Sequence, residues 1–449
     1  MTLFTFLSTR YFSHYRALIK LGVPIMIGQI GILALGFADT LMVGHHSTNE
    51  LAAASFVNNI FVLVIIATIG FSLGLISVVS GLLSGSHGKE IGGWLKHGLV
   101  VNLLVGALSM ICMGIFYFFI PDIGQPVELL PLIKPYFIVL WFSLPFVACF
   151  NAFKQWADSI MDTRLSMWIL IGGNFFNIIG SYLLIYGIGP LPEMGLLGAG
   201  IATLFSRMAM CLAFGLYFSR VARYRLYREG FLKIKIQLQS LKRLASVGWP
   251  IALQMGMEAA SFSLCAILVG WLGTIALAAH QVMLTISTLC FMVYVGMGGA
   301  IAVRCSYFKG QGDMLNIRRS AYAGFHLIMV LVVIASISIF VFRESFGGWF
   351  TDDPRVSILV ATLFAPMLLY QFGDGLQITF ANALRGLADV KPMMYVAFVS
   401  YFVVSLPASY FFGFTLHWGV AGVWMGFPLG LTLAGTLFWL RFRSKTKLR

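Results

Sequence analysis

Long apolar runs separated by short polar breaks occupy the chain from residue 22 to residue 440. An α-helix rises about 1.5 Å per residue, so roughly 20 such residues cross a bilayer. Twelve runs qualify: 22–43, 53–80, 98–120, 136–158, 166–187, 197–219, 247–272, 277–303, 320–342, 356–380, 393–414 and 419–440. The pattern predicts an all-α integral membrane protein with twelve transmembrane helices. An even number of crossings puts both termini on one face.

Composition agrees with that reading. Of 449 residues 59% are hydrophobic and 10% charged, too little polar surface to coat a soluble globule. The net charge of +14 suggests nucleic acid until the placement of Lys and Arg is followed. Nearly all of them fall in loops on the side of the termini. The opposite side has only Lys134, Arg343 and Arg355, while Lys154 and Arg207 lie inside spans. This is the positive-inside bias, so both termini are expected in the cytoplasm and a nucleic-acid partner is unnecessary. Six cysteines lie in or beside apolar spans without paired spacing and read as packing residues. The first apolar run continues to a full span with no cleavage pattern, and is expected to serve as its own insertion signal.

The chain also repeats itself. At a shift of 226 residues, LGVPIMIGQ from Leu21 meets VGWPIALQM from Val247, which places Gly22 over Gly248 and Pro24 over Pro250. LMVGHHSTNELAAAS from Leu41 meets ILVGWLGTIALAAHQ from Ile267 at the same shift, and at a shift of 224 GLLGAGIA from Gly195 meets GVAGVWMG from Gly419. The expected organisation is a six-helix bundle over 1–219, a basic linker over 220–245 and a second six-helix bundle over 246–449. Six spans per copy keep the two copies parallel, a framework for alternating access. The linker's Leu and Ile spacing suggests an amphipathic helix at the membrane surface.

Four of the sixteen acidic residues fall inside spans: Asp39, Asp158, Glu258 and Asp374. An ionised carboxylate at the bilayer centre costs about 2.5–3.5 kcal/mol on insertion scales, so each must face water, a partner or an interior. Glu258 stands alone in the run between Arg243 and Arg304. It lies roughly 12 Å along its helix from Pro250, and Asp374 roughly 16 Å from Arg385, so the two share one depth. Gly373 and Gly375 flank Asp374, and Tyr370 sits one turn away on the same face. With no internal Lys or Arg expected nearby, a proton or a bound cation is left to neutralise the pair. In the first half Asn177 is a polar neighbour for Asp39, with Ser181 one turn on. Asp158 is six residues from Arg164, within reach of interfacial water. Buried Arg207 is expected to pair with Asp158 or another first-half acid, as a structural charge.

Three stretches carry a family resemblance. LGVPIMIGQIGILALGFADTLMVG resembles the first helix of the multidrug and toxic compound extrusion (MATE) family. LAAHQVMLTISTLCFMVYVGMGGAIAVRCSYFKGQGD and YQFGDGLQITFANALRGLADVKPMM resemble its eighth and tenth helices, and the likeness to the NorM-like branch runs along essentially the whole chain. It implies two six-helix bundles around a V-shaped cleft and cation-coupled efflux of amphipathic organic cations, dyes and fluoroquinolones. The bacterial inner membrane is implied as the location and antibiotic resistance as a consequence. Glu258, Tyr370 and Asp374 match the branch's cation site in the second bundle. Asp39, Asp158, Asn177 and Thr203 match the polar cluster of the first. Where a second Asn is common after Asn177, this chain has Ser181. Sodium is the implied coupling ion, the proton its alternative. Drugs or dyes and the bilayer are the expected partners, a monomer the expected state, and no cofactor is expected.

A flippase of lipid-linked precursors from the same superfamily is the competing reading, and cationic side chains for phosphate would mark it. His45, His46 and His87 lack metal-ligand spacing and read as surface residues rather than as a membrane enzyme's metal site. No GxxxxGK[ST] loop occurs, which argues against ATP coupling.

Overall fold

The computed structural model describes residues 3–85, 87–124, 126–351 and 353–447. Among these no strand occurs. The helices are α1 (Leu3–His46), α2 (Thr48–Leu82), α3 (Gly88–Phe119), α4 (Leu130–Ser159), α5 (Thr163–Tyr186), α6 (Gly195–Arg220), α7 (Arg225–Lys233) and α8 (Leu238–Gly270). There follow α9 (Thr274–Gly310), α10 (Met314–Phe342), α11 (Phe346–Phe350), α12 (Pro354–Thr362), α13 (Phe364–Gly386), α14 (Lys391–Phe398), α15 (Leu406–Tyr410) and α16 (Gly419–Lys445). Among the described residues eleven helical stretches are long and apolar enough to cross a membrane, and α12 with α13 makes a twelfth when taken as one span.

Most helices overrun their apolar windows, because backbone hydrogen bonding continues past the residues that need hydrocarbon. Two spans also depart from a straight helix. The tenth, expected over 356–380, bends by 50° between α12 and α13. Pro366 explains the break: it has no N–H, and its ring collides with the carbonyl four residues back, at Thr362 where α12 ends. The eleventh widens into π-helical turns at Val399–Ser405 and Phe411–Thr415, on either side of Pro407.

Two compact units result. One is Met1–Met26 with Leu253–Arg449, the other Ile27–Ala252. These units follow packing rather than the repeat boundaries at 219 and 246, since α1 and α8 each begin in one unit and end in the other. Glycines permit the arrangement. In the first unit, Gly22 of α1 lies against Met297 of α9, and Gly296 of α9 against Met26. In the second, Gly248 of α8 lies against Phe71 of α2, and Gly70 of α2 against Ala252. A Cβ at any of the four would collide, and the two sets of contacts are related by the shift seen in the sequence.

The basic linker does not simply lie on the membrane surface. Its α7 docks on α3, where a Cβ on Gly92 would strike the Tyr227 carbonyl and one on Gly230 the Lys89 carbonyl. Tyr224 is buried against Trp156 and donates to Asp162 at 2.6 Å. Burial, reinforced by that carboxylate, pushes the Tyr224 phenol upward in pKa. The six cysteines are free thiols, but Cys211 of α6 and Cys149 of α4 meet with their sulfurs 2.9 Å apart, a pairing that linear spacing concealed.

Candidate functional site

In the unit built from Leu253 onward, α8 presents Gln254 and Glu258 one turn apart, and α13 presents Tyr370, Asp374 and Gln377 along one face. Gln254 Nε2 donates to Glu258 Oε2 at 2.9 Å and Gln377 Nε2 to the same oxygen at 3.3 Å. Gln377 also reaches the Tyr401 hydroxyl at 3.2 Å. Asp374 is 1% exposed, and neither of its carboxylate oxygens has a hydrogen-bond partner among the described residues. It lies within electrostatic reach of Glu258, as does Tyr370 of both acids. Gly373 and Gly375 make this depth possible: their missing Cβ atoms leave room for Thr432 of α16 and for Met329 and Val332 of α10. Tyr370 is wedged among Phe262, Trp424 and Phe427, and no hydrogen bond joins it to Asp374.

The expectation that no cationic side chain stands near is corrected. Arg385 is a helix-end residue in sequence, yet its guanidinium turns inward, donating to Gln254 Oε1 at 2.6 Å and Asn382 Oδ1 at 3.3 Å. Gln254 therefore spans Arg385 and Glu258 with its two amide ends. A long Arg side chain reaches far from its Cα, which a depth estimate along the helix axis leaves out.

A second cluster forms in the other unit. Ser181 donates to Asp39 Oδ1 at 3.2 Å. With the Asn177 amide oriented to match its neighbours, its nitrogen donates to Ser181 Oγ and Asp39 Oδ1 at 3.2 Å and its oxygen accepts from Thr203 Oγ1 at 3.1 Å. Asp39, Asn177, Ser181 and Thr203 thus meet across α1, α5 and α6. Arg207 lies within electrostatic reach of Asp39 and Tyr136, and donates to Ser143 Oγ at 2.5 Å.

Asp158 is not brought to this cluster. It pairs with Lys154 one turn back at 3.2 Å, and its other oxygen is buried without a partner. Tyr136, beside Arg207, and Asp158 both belong to α4, more than twenty residues and roughly 33 Å apart. Of the partners expected for Arg207, Asp158 is therefore taken by Lys154, and Asp39 is the first-half acid within its electrostatic reach. The loop histidines bind local partners: His45 the Leu41 carbonyl, His46 the carboxylates of Glu50 and Glu193, and His87 that of Glu90.

Sequence reasoning missed Gln254, Gln377 and Tyr401. Gln254 was findable, one turn before Glu258, and Gln377 nearly so, one turn beyond Asp374. Tyr401 carried no signal, being one aromatic among many in an uncharged span.

Duplicated helical spans that enclose buried carboxylates are the architecture of a membrane transporter. The sequence pattern of the MatE family matches residues 24–183 and again 250–411, beginning at the paired prolines Pro24 and Pro250. The chain belongs to the MatE family. A probable multidrug resistance protein NorM of Xanthomonas axonopodis pv. citri is 29% identical over 95% of this chain and 93% of its own. Another from Xylella fastidiosa is 29% identical over 98% and 94%. Among solved structures, a eukaryotic MATE transporter superposes with a TM-score of 0.85 at 17% identity, over 97% of this chain and 100% of that one. The Vibrio cholerae MATE transporter VcmN does so with 0.84 at 18%, over 97% and 98%.

Proposed function

We propose that this transporter is a cation-coupled multidrug efflux antiporter of the bacterial inner membrane, with both termini cytoplasmic, exporting amphipathic and mostly cationic organic compounds. Sodium is the favoured coupling ion and the proton its alternative. The likeness to relatives named for multidrug resistance supports the efflux reading, and the basic loops support the orientation.

One observation carries the coupling site: Asp374 is buried with both oxygens unpartnered, facing Glu258 from a separate helix of the same unit. Buried polar groups are nearly always satisfied, and an orphaned carboxylate is completed by a proton or a hard cation. Glu258, Asp374 and the Tyr370 hydroxyl offer oxygen donors suited to sodium, and Asp39 with Asn177, Ser181 and Thr203 is the accompanying polar site. The ion drives transport only by binding the inward- and outward-open states with different affinity. A flippase needs cationic groups free to meet phosphate. Here Arg207 and Arg385 are both committed to internal hydrogen bonds.

Ethidium efflux from loaded cells and everted vesicles, under sodium and proton gradients imposed separately, tests the reading. Wild type responds to the sodium gradient, and Glu258→Gln and Asp374→Asn do not. Gradient-driven efflux that survives both substitutions sinks the site assignment, and efflux needing ATP but neither gradient sinks the antiporter.

A further inference from the structure

Away from both clusters, a trough of about 700 Å³ runs along the seam of α5 and α6. Gly172 on α5 and Ala209 and Ala213 on α6 line it with small side chains, while Met210 packs over Gly173. Gly172 meets open space where its Cβ would stand. Trp168 is 65% and Phe176 52% exposed along the wall. From Arg164 to Phe176 the trough follows α5 for roughly 18 Å, close to the ~15 Å depth of one leaflet's hydrocarbon.

One end carries the charge. Arg164 opens α5 there with an exposed side chain and no ion pair among the described residues. Asp162 also lines that mouth, but its carboxylate is engaged by the Tyr224 hydroxyl at 2.6 Å and by Arg223 at 3.5 Å. Trp168 and Tyr217 flank the same end, as aromatic residues do at the headgroup level.

We propose that this trough binds one anionic phospholipid, its phosphate at Arg164 and one acyl chain along Gly172, Ala209 and Ala213. A leaflet-deep apolar furrow ending in an unpaired guanidinium complements that molecule. The same guanidinium disfavours an organic cation at that mouth.

Native mass spectrometry of the purified full-length chain tests this, with phosphatidylglycerol and phosphatidylcholine of identical chains as probes. One phosphatidylglycerol is retained in preference to phosphatidylcholine. Arg164→Gln weakens its retention about fivefold, the ~1 kcal/mol worth of one Arg at an anionic headgroup, and Arg164→Lys restores it. Gly172→Leu, whose side chain enters open space, lowers retention of both lipids while leaving the melting temperature at or above that of wild type. Equal retention in wild type, Arg164→Gln and Gly172→Leu overturns the proposal. Full displacement of phosphatidylglycerol by millimolar inorganic phosphate, or by ethidium, also overturns it, by making the feature an anion site or a drug site instead.

Discussion

The two polar clusters solve the same problem, a carboxylate inside a membrane protein, in opposite ways. Around Asp39 the neighbours are neutral donors: Ser181 and Asn177 meet one oxygen, and Thr203 completes Asn177. Asp374 has no hydrogen-bond partner among the described residues, while its neighbour Glu258 is held by two glutamine amides, one of them tied to Arg385. The first is close to a finished hydrogen-bond network. The second is finished on the Glu258 side and open on the Asp374 side.

The strongest way to break this contrast is to neutralise each acid and compare sodium dependence. Asp374→Asn and Glu258→Gln are expected to raise the half-saturating sodium about a hundredfold or more, in line with the ~3 kcal/mol cost of unmatching a buried charge. Sodium-titrated ethidium efflux reads this directly. A normal sodium curve in Asp374→Asn would remove the open site from the mechanism.

Next in size is Gln254→Leu, which leaves both Arg385 and Glu258 short of a partner. It is expected to lower stability by about 2 kcal/mol, read by thermal unfolding in detergent. Gln254→Glu keeps an acceptor for Arg385 but sets a like charge beside Glu258, and sodium titration then separates bridging from electrostatics. An unchanged melting temperature in Gln254→Leu would show that the bridge holds nothing in place.

Asp39→Asn preserves the size and one acceptor of the first cluster, so a loss of about 1 kcal/mol in stability and a retained sodium response are expected. If this substitution abolishes sodium-driven efflux while Asp374→Asn does not, the roles of the clusters are reversed.

The smallest effect is a control outside the spans. Asp313 caps α10, accepting from the Asn316 backbone N–H at 2.9 Å, and that bond with the Asn316 side chain holds its carboxyl below the usual range. A lowered folded pKa stabilises above the unfolded value near 3.9, and the gain is lost as pH falls through the folded pKa. Asp313→Ala should therefore cost about 1 kcal/mol at neutral pH and progressively less below about pH 4.

Much of this architecture was legible in the chain. Apolar run length reflects bilayer thickness, and the six-span repeat survived as aligned glycines and prolines, Gly22 with Gly248 and Pro24 with Pro250. The pairing of Glu258 with Asp374 was legible as well, because helix rise converts residue number into depth. Asp158 marks a misreading rather than a limit: its depth placed it near water, yet Lys154 stands one turn before it, at the spacing where helix side chains meet, and takes its charge. Arg385 marks a limit, since its Cα sits at a helix end while its guanidinium reaches Gln254.

By itself the sequence determined that the chain crosses the membrane as helices, that it is duplicated, and which residues are too polar to face lipid. These are consequences of period and length, which act locally. The structure alone decided that α1 and α8 each serve two packing units, that the tenth span breaks ahead of Pro366, and that one acid is enclosed by donors while another is left bare. Those outcomes depend on which helices touch, and such contacts are set by side chains distant in sequence whose fit no single segment encodes.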